Sequence, residues 1–88
     1  MVRITTATPE PGYVLLLSFT DGTSGRVHLA HLVGRGVFAA WNDVRIFVQV
    51  RVDPMTRTVC WPGNIDLDPD VLHAAAHGKS LPGTSIAA

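Results

Sequence analysis

Apolar and polar residues alternate along the first third of the chain, which is typical of β-strands. The alternation over residues 2–7 predicts a first strand, and the Pro and Gly residues at positions 9–12 are expected to end it. Residues 13–19 give the strongest strand signal, and a turn at residues 20–23 leads into a third run at residues 25–29. The pattern therefore predicts three strands, of which the last two form a hairpin.

Two loop lengths fit this hairpin, and they place different side chains opposite each other. A two-residue loop sets Leu15 opposite His28, whereas a three-residue loop, with Gly22 in the left-handed conformation, sets Leu15 opposite Val27. We predict the three-residue loop because it groups apolar residues on one face of the hairpin.

The second face of the hairpin is the first candidate binding surface. It carries two apolar and two basic side chains, namely Val14, Leu16, Arg26 and His28. Exposing both apolar residues is unfavourable, so we predict that a helix or a partner protein covers this face. Trp61 is a second candidate contact for a partner, although a tryptophan that precedes a turn is more often part of the core.

A short helix is expected in the middle of the chain. It should run over about residues 44–48, with Val44 and Val48 on the same face as Trp41. Asn42 or Asp43 can cap its first turn.

The predicted elements define an α+β fold. Alternation over residues 48–53 and 58–61 indicates a second hairpin, and a final helix follows it. The order β-β-β-α-β-β-α predicts one antiparallel sheet of about five strands with the helices on one side or end. We expect residues 1–78 to form a single domain and residues 79–88 to form a poorly ordered tail.

The final helix carries two histidines at a spacing that can bind metal. Asp68 caps it and Pro69 occupies its first position, while Asp70, His73 and His77 share the face predicted to be solvated. Two histidines one turn apart can bind one metal ion, with the aspartate as a third ligand. A solvated face offers no pocket, so we favour surface histidines and keep a small-ligand or metal site as the alternative.

Composition narrows the function classes. Seven basic and seven acidic residues give no net charge, which disfavours nucleic-acid binding by this chain. Cys60 is the single cysteine, so neither an internal disulfide nor a cysteine zinc site can form, and a cytoplasmic setting fits best. We expect no membrane segment, no cofactor and no catalytic residue, because no nucleophile or metal set stands at workable spacing from a base.

Several segments together resemble a known family. They include residues 13–22, 36–38 and 47–53, and above all the run from Trp61 to Leu72. Over about residues 2–76 the chain resembles the small bacterial domain-of-unknown-function family 2442. The signature residues are Trp61, Pro62, Asp66, Asp68 and Pro69.

The resemblance implies a compact α+β domain without an established activity. It also implies an antitoxin-like role, because members are often encoded beside a small putative toxin, and we expect direct binding to a partner protein or self-association. One departure concerns the turn, which in the family usually reads Trp-Pro-Asn-Gly. Gly63 and Asn64 stand here in the opposite order, so we expect a turn of another type.

Overall fold

The computed structural model describes residues 2–78, so the predicted tail at residues 79–88 lies outside the described residues. The described part contains six strands, namely β1 (Ile4–Glu10), β2 (Val14–Phe19), β3 (Ser24–His28), β4 (Arg51–Val52), β5 (Val59–Trp61) and β6 (Ile65–Asp66). Its α-helices are α1 (Val44–Phe47) and α2 (Pro69–Ala76), and stretches of 3₁₀-helix cover Ala30–Leu32 and Gly36–Asn42. None of these helices combines the length and apolar character needed to span a bilayer.

The strands form two antiparallel sheets, the first sheet (β1-β2-β3) and the second sheet (β4-β5-β6). The α+β class is confirmed, but the prediction of one five-stranded sheet is wrong. β6 returns beside β5 after the turn at residues 62–64, and this short segment contains no alternation long enough to predict a strand. β4 has only two residues, because hydrogen bonds from Gln49 N–H to Ile46 O and from Val50 N–H to Phe47 O continue helical turns beyond α1.

The β2–β3 hairpin has the predicted three-residue loop and register. Leu15 lies opposite Val27. The Phe19 N–H donates to Thr23 O across the loop, in which Gly22 has a φ of 86°. In an antiparallel pair, only every second residue of a strand forms backbone hydrogen bonds with a given neighbour. Since Phe19 bonds to β3, the backbone groups of Leu17 and Leu15 also bond to β3. The residues between them direct their backbone groups to β1.

β1 continues through Pro9, the residue predicted to end it. Pro9 lies opposite Leu15, whose own backbone groups bond to β3. The nitrogen of Pro9 therefore points away from β2, toward the edge of the sheet. No ladder hydrogen bond is lost there, which is why a proline fits an edge strand.

The core lies between the two sheets and the helices. Its central rings are Trp41, Phe47 and Trp61, with Trp41 centred 5.1 Å from Phe47 and 4.7 Å from Trp61. The predicted shared face of Trp41, Val44 and Val48 is wrong, because the two valines are 52% and 51% exposed. α1 is one turn long, and that turn buries Phe47 instead.

α2 begins and ends as predicted. The Asp68 carboxylate accepts the Asp70 N–H at 2.8 Å and Pro69 follows it, while the helix ends just before Gly78, whose φ is 82°. Asp43 caps α1 in the same way. Close packing of α2 on β3 requires a glycine, because a Cβ atom on Gly25 would lie 2.6 Å from the Ala76 carbonyl oxygen.

The turn between β5 and β6 accommodates Gly63 and Asn64 in the order opposite to that usual in the resembled family. Gly63 has a φ of 93° and Asn64 a φ of 60°, so both positions lie in the left-handed region. Glycine and asparagine are the two residues that adopt this region most readily. Either order therefore suits the backbone seen here, and the exchange does not require a different turn.

Candidate functional site

One face of the first sheet points away from the core, and we call it the outer face. It consists of the side chains that alternate with the buried ones along β1, β2 and β3. Its members are Thr6, Thr8 and Glu10 on β1, Val14, Leu16 and Ser18 on β2, and Ser24, Arg26 and His28 on β3. Four of the predicted partner-binding residues, Val14, Leu16, Arg26 and His28, therefore lie together on one surface.

An ion pair crosses the middle of the outer face. Arg26 Nε lies 2.7 Å from Glu10 Oε1, and a second nitrogen of the guanidinium lies 3.3 Å from Oε2. Glu10 is opposite Val14, and Arg26 is opposite Leu16, so the pair spans β2 diagonally. The hydrogen bond from Arg26, helped by the charge of His28, holds the pKa of Glu10 below its ordinary value.

This ion pair changes the character of the predicted surface. Val14 is only 8% exposed although it lies outside the core cluster, so its expected exposure is corrected. Leu16 is half-buried, while Arg26 and His28 are exposed. The accessible apolar centre of the face is therefore Leu16, framed by charged and imidazole groups.

Trp61 belongs to the core. Its side chain is 3% exposed, and its Nε1–H donates to the Phe47 carbonyl oxygen at 2.9 Å. A partner could not reach the indole without opening the fold, so Trp61 is removed from the predicted contact residues. The other signature residues have local structural positions: Pro62 in the turn, Asp66 exposed opposite Cys60 on β5, and Asp68 and Pro69 at the start of α2.

The structure places His73 against the β2–β3 loop and not in open solvent. Its Nε2 lies 2.7 Å from Asp21 Oδ2, and its ring contacts Phe19 edge to face at 4.8 Å. His77 lies beside it, with ring centroids 4.1 Å apart, and its Nδ1 donates to the His73 carbonyl oxygen. These contacts attach α2 to the tip of the hairpin.

The carboxylate that reaches His73 is therefore Asp21, and the predicted set with Asp70 is not assembled. Hydrogen bonds from the Thr23 hydroxyl and N–H, and then from His73, hold the pKa of Asp21 well below its ordinary value. Within residues 2–78, no three His, Cys, Asp or Glu side chains are grouped so that they could hold a metal ion.

The aspartates serve mainly as turn and cap residues. In four places an aspartate accepts the backbone N–H two residues later, at 2.8 to 3.0 Å: Asp21, Asp43, Asp53 and Asp68. A surface depression of about 440 Å³ borders Asp66, Asp68 and Asp70, and a smaller one of about 180 Å³ borders Arg51 and Cys60. Asp66 borders both depressions.

Two contacts escaped sequence reasoning. The sequence pattern predicts a turn at Glu10, and only the extension of β1 through Pro9 makes Glu10 a member of the outer face. The Asp21–His73 contact joins residues 52 positions apart, and no local pattern signals it.

Comparison with known proteins gives one match. A family model described as a protein of unknown function (DUF2442) covers residues 4–78. No curated protein and no solved structure matches the chain.

Proposed function

Because the chain belongs to the DUF2442 family, whose function is unknown, we propose from its structure that it is a non-enzymatic module that binds a partner protein. The contact surface is the outer face, centred on Leu16 and flanked by Arg26 and His28. The mode of action is antitoxin-like in that the chain acts by direct binding, in a reducing cytoplasm. It does not need to contact nucleic acid.

The position of Leu16, half-buried between exposed neighbours on the outer face, is the observation that carries this proposal. The neighbouring residues Thr8 and Arg26, which lie opposite Leu16 on the two flanking strands, are exposed. No element of the described chain, residues 2–78, therefore covers the centre of the face. An apolar centre with a polar and charged rim is the usual composition of a protein-binding surface.

The positions of the charged groups support a binding role over a catalytic one. Asp21, Asp43, Asp53 and Asp68 hold backbone turns and helix starts, so their carboxylates are already engaged. The alternative, a ligand or metal site at His73 and His77, has weaker support because His73 Nε2 already bonds to Asp21.

A pair of matched variants tests the proposal. Leu16→Asp places a charge at the centre of the outer face, and Val48→Asp places the same charge directly after α1, at a valine that is half exposed. Both variants are used as baits in the native host, with quantitative mass spectrometry and circular dichroism to verify folding. We expect a partner retained by the native chain and by Val48→Asp to be lost with Leu16→Asp; equal retention by both folded variants would contradict the proposal.

A further inference from the structure

The first sheet has two edge strands that differ in their ability to accept another strand. Its order β1-β2-β3 leaves one side of β1 and one side of β3 without a ladder partner. An open edge presents unpaired N–H and C=O groups, and proteins usually block it with a proline, a bulge or a covering segment. Comparison of the two edges shows where such blocking is absent.

The β1 edge is blocked in three ways. Pro9 directs a nitrogen without a hydrogen toward this edge. The register shifts between Ile4 and Thr6, as in a β-bulge. The Ile4 N–H donates to the Arg57 carbonyl oxygen at 2.9 Å, which brings the β4–β5 turn against the start of the strand.

The β3 edge has none of these features within the described residues. Its register with β2 is regular from Ser24 to His28, without a proline or a bulge. Backbone hydrogen bonds join Phe19 to Thr23 at one end of the hairpin and Leu29 to Tyr13 at the other. Because such bonds alternate along the pair, the backbone N–H and C=O groups that point away from β2 belong to Ser24, Arg26 and His28.

These three residues are exposed, and within residues 2–78 their outward backbone groups have no strand beside them. α2 does not occupy this edge. Its Ala76 carbonyl approaches Gly25 from the side on which a Cβ would point, which is the core side of the sheet. Among residues 2–78, no segment therefore covers the edge itself.

We propose that the β3 edge binds an extended acidic segment of the partner protein as a fourth strand of the first sheet. This inference rests on the proposed function and specifies how the partner is held. Strand addition of this kind obtains affinity from main-chain hydrogen bonds and specificity from alternate side chains.

The size of the outer face supports an added strand. Three strands about 4.8 Å apart and about 20 Å long present roughly 290 Å². A standard interface covers roughly 800 Å² on each partner. The outer face alone is therefore smaller than a standard interface. A partner strand that also bonds to the β3 edge would enlarge the contact area beyond the outer face.

Charge determines the chemistry of the added strand. Side chains opposite Arg26 and His28 would lie on the outer face, where a carboxylate is favoured. The Arg26 guanidinium has five N–H donors, and the close contacts to Glu10 use Nε and one terminal nitrogen, so donors remain for a second carboxylate. Residues that alternate with the acidic ones would lie beside Gly25 and Val27, on the face of the sheet that buries Val27.

A second copy of this chain fits the edge less well. Antiparallel pairing of two β3 strands that uses all three outward residues places Arg26 opposite the same arginine of the other copy. Like charges directly opposite each other destabilise a strand pair. The observations therefore favour an acidic segment over self-association at this edge.

The test uses nuclear magnetic resonance of the isotope-labelled full chain with the peptide acetyl-Val-Asp-Val-Asp-Val-Asp-Val-amide. We expect the amide protons of Ser24, Arg26 and His28 to shift and to exchange more slowly with solvent. Those of Gly25 and Val27, which already bond to β2, serve as internal controls. A peptide N-methylated at its aspartates should bind at least about tenfold more weakly, because its bonds to β3 are lost.

Several outcomes would overturn the inference. These are no binding of the peptide, equal binding of the N-methylated peptide, equal binding of a peptide with Lys in place of Asp, or protection of the same amides by increasing protein concentration alone. The proposed function is judged separately by Leu16→Asp.

A variant pair tests the edge with the native partner. Ser24→Pro removes an outward N–H without removing a bond to β2, and Ser24→Ala keeps that N–H. Loss of the partner with Ser24→Pro, but not with Ser24→Ala, supports strand addition. If both retain the partner while Leu16→Asp loses it, the outer face binds and the edge does not.

Discussion

Both sheets have three strands, but the strands differ in length and in what holds them together. In the first sheet, the strands are five to seven residues long, and the alternation along β2 and β3 fixes the register of the hairpin and its two faces. In the second sheet, strands of two or three residues are joined by turns that Asp53, Gly63 and Asn64 stabilise. The comparison indicates that packing of the Trp41, Phe47 and Trp61 rings holds the second sheet, because its ladders are too short to do so alone.

Removing one ring should produce the largest effect. Trp61→Ala deletes a buried indole and its hydrogen bond to Phe47, and we expect it to lower the free energy of unfolding by about 3 to 5 kcal/mol. Urea denaturation followed by circular dichroism measures this loss. Met55→Ala, in the turn between β4 and β5 and 86% exposed, is the control and should change stability by less than about 0.5 kcal/mol. Similar effects of both variants would contradict the role given to the ring cluster.

Crowding the contact between α2 and the first sheet should have the next largest effect. Gly25→Ala forces the Ala76 carbonyl away from a position 2.6 Å from the new Cβ, and we expect a loss of about 1 to 3 kcal/mol. Thermal melting of this variant beside Ser24→Ala, its exposed neighbour, separates crowding from a general effect on β3. Unchanged stability would mean that α2 does not pack on β3 as described.

The cap at the start of α2 should contribute less to the free energy of unfolding than the two packing contacts above. Asp68→Ala removes the carboxylate that accepts the Asp70 N–H, and we expect a loss of about 1 kcal/mol through the helix cap. Asp66→Ala, at an exposed aspartate two residues earlier, is the matched control. A melting temperature that rises with calcium in the native chain but not in Asp68→Ala would contradict the assignment of Asp68 as a cap.

The smallest effect is expected for the dependence of folding stability on acidic pH. The pKa of Asp21 is lower in the folded chain than its ordinary value, so its contribution to stability is complete above about pH 4 and is lost as the pH falls further. Asp21→Asn should therefore lower the melting temperature at neutral pH and reduce its decrease on acidification. Identical acid dependence in the variant and the native chain would show that the contact with Thr23 and His73 does not stabilise the fold.

The difference between the sheets also explains what could be predicted. Regular alternation was enough to place Leu15 opposite Val27 and to gather Val14, Leu16, Arg26 and His28 on one face, and the cap at Asp68 was readable from local chemistry. β6 and the split into two sheets depend on tertiary packing of short segments, which carries no periodic signal.

The residues of the candidate surface could be predicted from the sequence, but the contacts among their side chains could not. Glu10 joins the outer face only because Pro9 lies at an edge, where its missing N–H costs no ladder bond. The sequence favours a core position for a tryptophan before a turn, but the burial of Trp61 depends on the rings around it, which no local pattern reveals.

Site-specific crosslinking tests the central claim, binding of a partner protein at the outer face, most directly. A photoreactive phenylalanine analogue replaces Thr8, which is exposed and lies opposite Leu16, and in a second variant replaces the exposed Val48, which directly follows α1. Irradiation in the native host followed by mass spectrometry should give a defined protein adduct at position 8 and none at position 48. An adduct at position 48 without one at position 8 would contradict the account.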